Sequence, residues 1–256
     1  MIPIVKIFIY KYWICTSTNF KRKPINCMIC IDNSNYLLIS PITSSVLIRK
    51  CNFTKINPAD QSGAAIRINN NDNFKITDCT FDSTKGYNTG GAISAGVENV
   101  EIRSTFFIDN EALTHQSSEE SRGSAIYYSK LGESQLIVSC VFKGNKAKTY
   151  GGAIFLSFLE NNFIIKNSFK NDDSIFTECE SGCSGAIYFQ DGTKESNEPS
   201  EIRSSIFTNC FASSGEGYAI SSRAYLTTIE QCVYKYHNRE AETLDHCILY
   251  VEFDAE

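Results

Sequence analysis

The chain has 256 residues, 42% of them apolar, with 17 Phe and 13 Tyr to fill a core, which excludes a disordered chain. Lys and Arg number 24 against 29 Asp and Glu with no basic block, so the balance does not suit a nucleic-acid backbone. Eleven cysteines is a high but odd count, and in a chain of this length the count alone fixes no redox compartment.

The first stretch, Ile2 to Cys15, is apolar but carries Lys6 and Lys11, and it is too short and too charged to span a membrane. Residues 1–24 therefore read either as a poor signal peptide, with small residues at Cys15 and Ser17, or as a β-rich cap. No later segment reaches transmembrane length, and residues 241–256 read as a tail or cap.

Between these ends two short motifs alternate. The first is Ile-x-x-small-x-aromatic, found at Ile48/Cys51/Phe53, Ile76/Cys79/Phe81, Ile102/Thr105/Phe107 and Ile137/Cys140/Phe142. It continues at Ile164/Asn167/Phe169, Ile202/Ser205/Phe207 and Ile229/Cys232/Tyr234, giving copies 26 to 38 residues apart. The fifth copy has a rival, because Phe176-Thr-Glu-Cys179 matches Phe207-Thr-Asn-Cys210. The second motif ends in Ala-Ile after glycine or another small residue, at Ile66, Ile93, Ile126, Ile154, Ile187 and Ile220, each copy falling between two of the first.

The two polar residues after each leading Ile place a bend there, and the bend turns Ile, the small residue and the aromatic all inward. Short β-branched and aromatic runs such as Ile126 to Tyr128 favour strands, and no stretch of helical period is long enough for a crossover helix. Spacing between the motifs is tight, with extra length confined to polar loops at Thr114 to Arg122 and Gln190 to Glu201. A fixed circumference with outward loops is the signature of a solenoid whose coils stack about 4.8 Å apart. The fold expected is all-β, a right-handed single-stranded parallel β-helix of about seven coils over residues 25–240, with Phe53, Phe81, Phe107, Phe142, Phe207 and Tyr234 in one interior column.

The Gly-Gly-Ala-Ile tetrads ending at Ile93 and Ile154, with Phe107-Ile-Asp-Asn110 and Phe142-Lys-Gly-Asn145, resemble the GGA[ILV] and FxxN repeats of the polymorphic outer-membrane protein family. More broadly the chain is similar to β-helix domains of the pectin-lyase-like superfamily. The first resemblance implies export, a place at the cell surface and adhesion; the second implies carbohydrate chemistry.

A polysaccharide lyase or hydrolase needs clustered carboxylates with a base beside them. The best catalytic candidates are Asp172 and Asp173, with Asp109 one or two coils away, and a solvated structural role is the favoured reading of the pair. His115, His237 and His246 stand in no catalytic context. Arg49, Arg103 and Arg203 recur at one motif position, but Thr77, Val138 and Ile165 break the stripe. Cys27/Cys30 and Cys179/Cys183 have the spacing of metal-binding pairs yet lie in separate coils, so no metal and no cofactor are expected. Cys51, Cys79, Cys140 and Cys232 share a slot with Thr105, Asn167 and Ser205, which selects small side chains rather than sulfur chemistry. Asn52-Phe53-Thr54 is a glycosylation acceptor sequence, but it falls inside an expected strand and so adds little support for secretion.

These readings favour a non-catalytic surface or secreted interaction module, with glycans or surface proteins of neighbouring or host cells as partners. The alternatives are a carbohydrate-active enzyme, a fragment of a larger repeat array and, for localisation, a cytoplasmic protein.

Overall fold

The structure, a computed structural model, describes residues 7–9, 25–26, 30–32, 37–39, 45–57, 65–69, 73–114, 120–157, 169–190, 200–213, 217–222, 227–235 and 249–251. The described residues contain no helix, and their strands fall into three sheets in which each strand bonds to its counterpart one repeat away. The first sheet holds fifteen strands and carries both the Ala-Ile strands and the leading-Ile strands, fused in Ile93–Arg103 and Ile126–Val138. The second holds eight strands of three residues each, from Cys30–Asp32 to Val233–Lys235, and the third holds five short ones from Lys85–Tyr87 to Phe211–Ala212. Every pairing is parallel except that of Ile7–Ile9 with Leu37–Ile39. At the other end Leu249–Val251 pairs with Ile220–Ser222, so the first sheet runs past both limits of residues 25–240. The architecture is a parallel β-helix.

The corners explain the motifs. Lys50, Asp78, Ser104, Ser139, Asp173, Ser204 and Gln231 all adopt left-handed φ values of 47° to 55°. One left-handed residue breaks the strand alternation, so the residues on either side of a two-residue corner both point inward. Such a conformation costs about 1–2 kcal/mol in a non-glycine residue. Here backbone bonds to the next coil offset it: Lys50 N–H donates to the Thr77 carbonyl at 3.1 Å and Ser204 N–H to the Glu230 carbonyl at 3.0 Å. A second left-handed corner follows six of these three-residue strands, at Lys55, Ser83, Asp109, Gly144, Glu178 and Asn209.

Inside, identical positions stack on one another. Phe53, Phe81, Phe107, Phe142, Phe176, Phe207 and Tyr234 form one continuous aromatic column, with ring centroids 4.6 to 5.2 Å apart and every pair stacked. The fifth member is Phe176 and not Phe169. Phe169 pairs in register with Gln135 and starts the preceding strand, which puts Asn171 level with Ile137 in the leading-isoleucine position. The true fifth copy is thus Asn171/Ser174/Phe176. The reading through Ile164 fails because the isoleucine that would have marked the copy is replaced by asparagine. Ser174 accordingly takes the small slot assigned above to Asn167, and Asp172 the register position, level with Arg203, assigned to Ile165.

The small slot is a hydrogen-bonded ladder. Cys51 N–H donates to Cys79 Sγ at 3.4 Å, Cys79 N–H to Thr105 Oγ1 at 3.5 Å, Cys140 N–H to Ser174 Oγ at 3.3 Å and Ser174 N–H to Ser205 Oγ at 3.4 Å. Thr105, Cys140 and Ser205 in turn donate to the carbonyls of Arg103, Val138 and Arg203, two residues back. The position requires a short side chain that both donates and accepts, and thiol and hydroxyl both qualify. Burial pushes the Cys140 thiol up to about 12. The neighbouring Cys51 thiol, reinforced by burial, raises that of Cys79.

Three residues after each aromatic from Phe53 to Phe207 lies another buried column: Ile56, Thr84, Asn110, Asn145, Cys179 and Cys210. The two asparagines are the last residues of the FxxN motifs. Thr84 Oγ1 donates to Asn110 Oδ1 at 2.6 Å, and Asn145 Nδ2 reaches the Phe107 carbonyl at 2.9 Å. The Gly-Gly-Ala-Ile tetrad is explained by crowding: a Cβ on Gly152 would lie 2.0 Å from the Gly185 carbonyl oxygen of the next coil. Ala153 and Ile154 follow it into the core with no exposed surface.

Candidate interaction surface

The structure places Asp109 and Asp173 at opposite ends of the second sheet's strands. Asp173 is exposed at the left-handed corner that precedes the strand Ile175–Thr177. Asp109 is exposed at the other kind of corner, the one that follows Phe106–Ile108, so the three-residue strands of the second sheet lie between them. Asp172 ends the strand Phe169–Asp172, in register with Val138 and Arg203; its side chain, like all three histidines, lies outside the described residues.

The recurring arginines are neutralised where they stand. Arg49 pairs with Asp78 at 3.3 Å, Arg203 with Glu230 at 3.3 Å and Glu201 at 3.6 Å, and Arg103 contacts Glu101. Lys75 also reaches Glu101 at 2.7 Å. Partial burial would raise the Glu101 carboxyl, but the hydrogen bonds from Lys75 and Arg103 together outweigh it and hold the group below its ordinary value. In the third sheet Lys85, Glu111, Lys146 and Glu180 succeed one another in register, with ion pairs of 2.8 Å and 3.4 Å, an alternating ladder that leaves little net field.

Of the paired cysteines, Cys27 lies outside the described residues. Cys179 is buried with its thiol toward the Phe142 carbonyl, whereas Cys183 is half-buried on a corner. No group of three or more His, Cys, Asp or Glu side chains suited to a metal occurs among the described residues. No helix among them is long and apolar enough to cross a membrane.

The outer face of the second sheet carries the feature that sequence reasoning missed. From Asn52–Thr54 onward the first residue of each strand points outward, and successive ones in register are Asn52, Thr80, Phe106, Val141, Ile175, Ile206 and Val233. The last five are all apolar. Phe106 is 48% exposed, Val233 44% and Ile175 39%, while Val141 and Ile206 are half-buried between them. At about 4.8 Å per coil this column runs about 19 Å along the axis. Ile108, Thr177 and Thr208 border it on the same face. Lone surface hydrophobics need no explanation, but a contiguous row does. Strand alternation could have revealed it, since each residue stands immediately before a core aromatic.

On the outer face of the first sheet a second cluster forms. Tyr127, Phe155 and Tyr188 stack at 5.4 and 5.5 Å, and Tyr150 tilts against Phe155 and Tyr188. The Arg122 guanidinium sits 5.4 Å over the Phe155 ring and 5.9 Å over that of Tyr150, while also contacting Glu120. Phe155 is fully buried beneath this cover, whereas Tyr127 and Tyr150 keep part of their rings in solvent.

Compared with known proteins, the chain matches no family model, no curated protein and no solved structure.

Proposed function

We propose that the chain is a non-catalytic interaction module of the pectin-lyase-like kind, similar to the polymorphic outer-membrane protein repeats, displayed outside the cell. Its binding face is the outer surface of the second sheet. The observation that carries this reading is the contiguous apolar column from Phe106 to Val233, which holds the exposed large hydrophobics Phe106, Ile175 and Val233 of the described residues. A core of apolar side chains with a polar rim is the anatomy of a protein-binding patch. The partner it fits is another protein presenting an aliphatic or aromatic ridge. A second copy fits less well, because two-fold pairing centred on Ile175 brings the exposed Asp173 and Glu178 of each copy near their own images.

The rings of Tyr127 and Tyr150 beside Arg122 favour a second reading, a glycan partner stacked on those aromatic faces. Binding of labelled protein to intact source cells, with and without surface proteolysis, separates the two. The first reading expects binding that is lost after proteolysis and lost in Phe106→Ser and Ile175→Asp. Binding that survives proteolysis and disappears in Tyr127→Ala supports the glycan. Wild-type binding by both second-sheet variants, or their only effect being to abolish self-association in sedimentation, overturns the first reading. Release of unsaturated uronides from polyuronides, abolished by Asp172→Asn with Asp173→Asn, would replace both with an enzyme.

A further inference from the structure

Asn52-Phe53-Thr54 is the one Asn-x-Ser/Thr sequence in the chain. A place inside a strand does not by itself bury the asparagine. The strand Asn52–Thr54 is three residues long and places just its central Phe53 in the core, with Asn52 exposed and Thr54 half-buried on the outer face. Residues two apart in a strand share a face, so the Asn52 carboxamide and the Thr54 hydroxyl lie side by side toward solvent. Lys55, next in the chain, turns the corner at a φ of 53° and takes the backbone away from that face.

From this we propose that Asn52 is an acceptor for an N-linked glycan, and that the folded β-helix carries the glycan without rearrangement. The room is there. The register neighbour one coil on is Thr80, a short side chain, and the first bulky member of the column, Phe106, comes only a coil later, about 10 Å away. The aromatic column is untouched, because Phe53 stacks on Phe81 at 4.6 Å from the opposite side of the strand. A glycan there would stand at the head of the apolar column and shield its approach from that end while leaving Ile175 and Val233 open.

The proposal rests on the reading that the chain is exported, so the experiment tests acceptor and export separately. The full chain is translated with microsomes once with its own first residues and once behind a strong heterologous leader, and only protease-protected chains are scored. With the heterologous leader, protected wild-type chain and Thr54→Ser should show a mass shift removed by peptide-N-glycosidase, whereas Asn52→Gln and Thr54→Ala should show none. The glycosylated chain, purified, should melt in one cooperative transition with the same β-type circular dichroism as Asn52→Gln. Protected wild-type chain without the shift overturns the acceptor site, as does a glycosylated chain that has lost the cooperative melt. Absence of protection with the native first residues alone overturns native export and leaves the acceptor proposal supported or refuted by the other arm.

Discussion

The Asn145 carboxamide oxygen accepts from Asn110 twice, from its backbone N–H at 3.1 Å and from its side-chain Nδ2 at 2.9 Å. Both residues are fully buried, and Asn110 Nδ2 also donates to the Phe81 carbonyl at 3.2 Å. The pair thus ties three successive coils together from inside.

Asn145→Ala leaves two donors of Asn110 and the Phe107 carbonyl without that partner in a dry core. At about 1–3 kcal/mol for each unsatisfied group, the loss should be about 3 kcal/mol or more. Urea unfolding of both single variants and the Asn110→Ala/Asn145→Ala double variant checks it. A coupling of about 0.5–3 kcal/mol is expected, and strict additivity would show that the two side chains act independently.

Phe142→Ala should cost about 3–5 kcal/mol, since the ring is sandwiched between Phe107 at 4.8 Å and Phe176 at 4.7 Å and the rigid coils cannot close the gap. Tyr234→Ala should cost less than half as much. Tyr234 is half-buried, and Phe207 at 5.2 Å is its one stacking partner among the described residues. Equal losses in thermal melts would mean that the column does not behave as a stack.

Two glycines should respond oppositely. Gly152→Ala drives a methyl into the backbone of the neighbouring coil, which cannot yield, and should abolish soluble folded protein or cost more than about 3 kcal/mol. Gly144 has a φ of 64°, but a Cβ there meets only the flexible Asp109 carboxylate, and Asn209 occupies the equivalent corner at 52°. Gly144→Asn should therefore fold and melt within about 1 kcal/mol of wild type.

Seven cysteines among the described residues are free thiols, five of them buried, and native protein at pH 8 should leave the buried ones unlabelled by a thiol reagent. Burial lifts the Cys140 thiol from an ordinary 9.0 to about 12. In the unfolded chain that thiol ionises first, so its contribution is complete below pH 9 and is lost as pH rises toward 12. Urea midpoints should fall across that window, and less steeply in Cys140→Thr, which keeps the hydrogen bonds of the slot as Thr105 does. Recovery of oxidised Cys51 and Cys79 from denatured, unreduced protein would show instead that the ladder is cross-linked.

Much of the fold was legible because each coil reads the same few positions. Ile-x-x-small-x-aromatic encodes an inward residue, a two-residue left-handed corner and a strand with one core ring, and the sequence shows it in true register six times over. The register failed where the code was degenerate: Asn171 stands where every other described repeat puts isoleucine, and Ile164 supplied a false match seven residues upstream. The interaction face was harder to see. Val141, Ile175, Ile206 and Val233 read as ordinary strand formers, and each shows as outward only when alternation is counted back from the ring that follows it. Likewise Cys179 and Cys210 hide an FxxN position, because sulfur there takes over a place that asparagine fills in the two preceding coils.

The stacking of like on like also has a mechanical consequence. Every interstrand bond in the three sheets points along the solenoid axis, from one coil to the next. A load applied along that axis meets the ladder as a zipper, opening one coil's bonds before the next, whereas a load applied along the strands meets all the bonds between two coils at once, in shear. A protein of this build tethered by its side resists tension far better than one tethered by its tip.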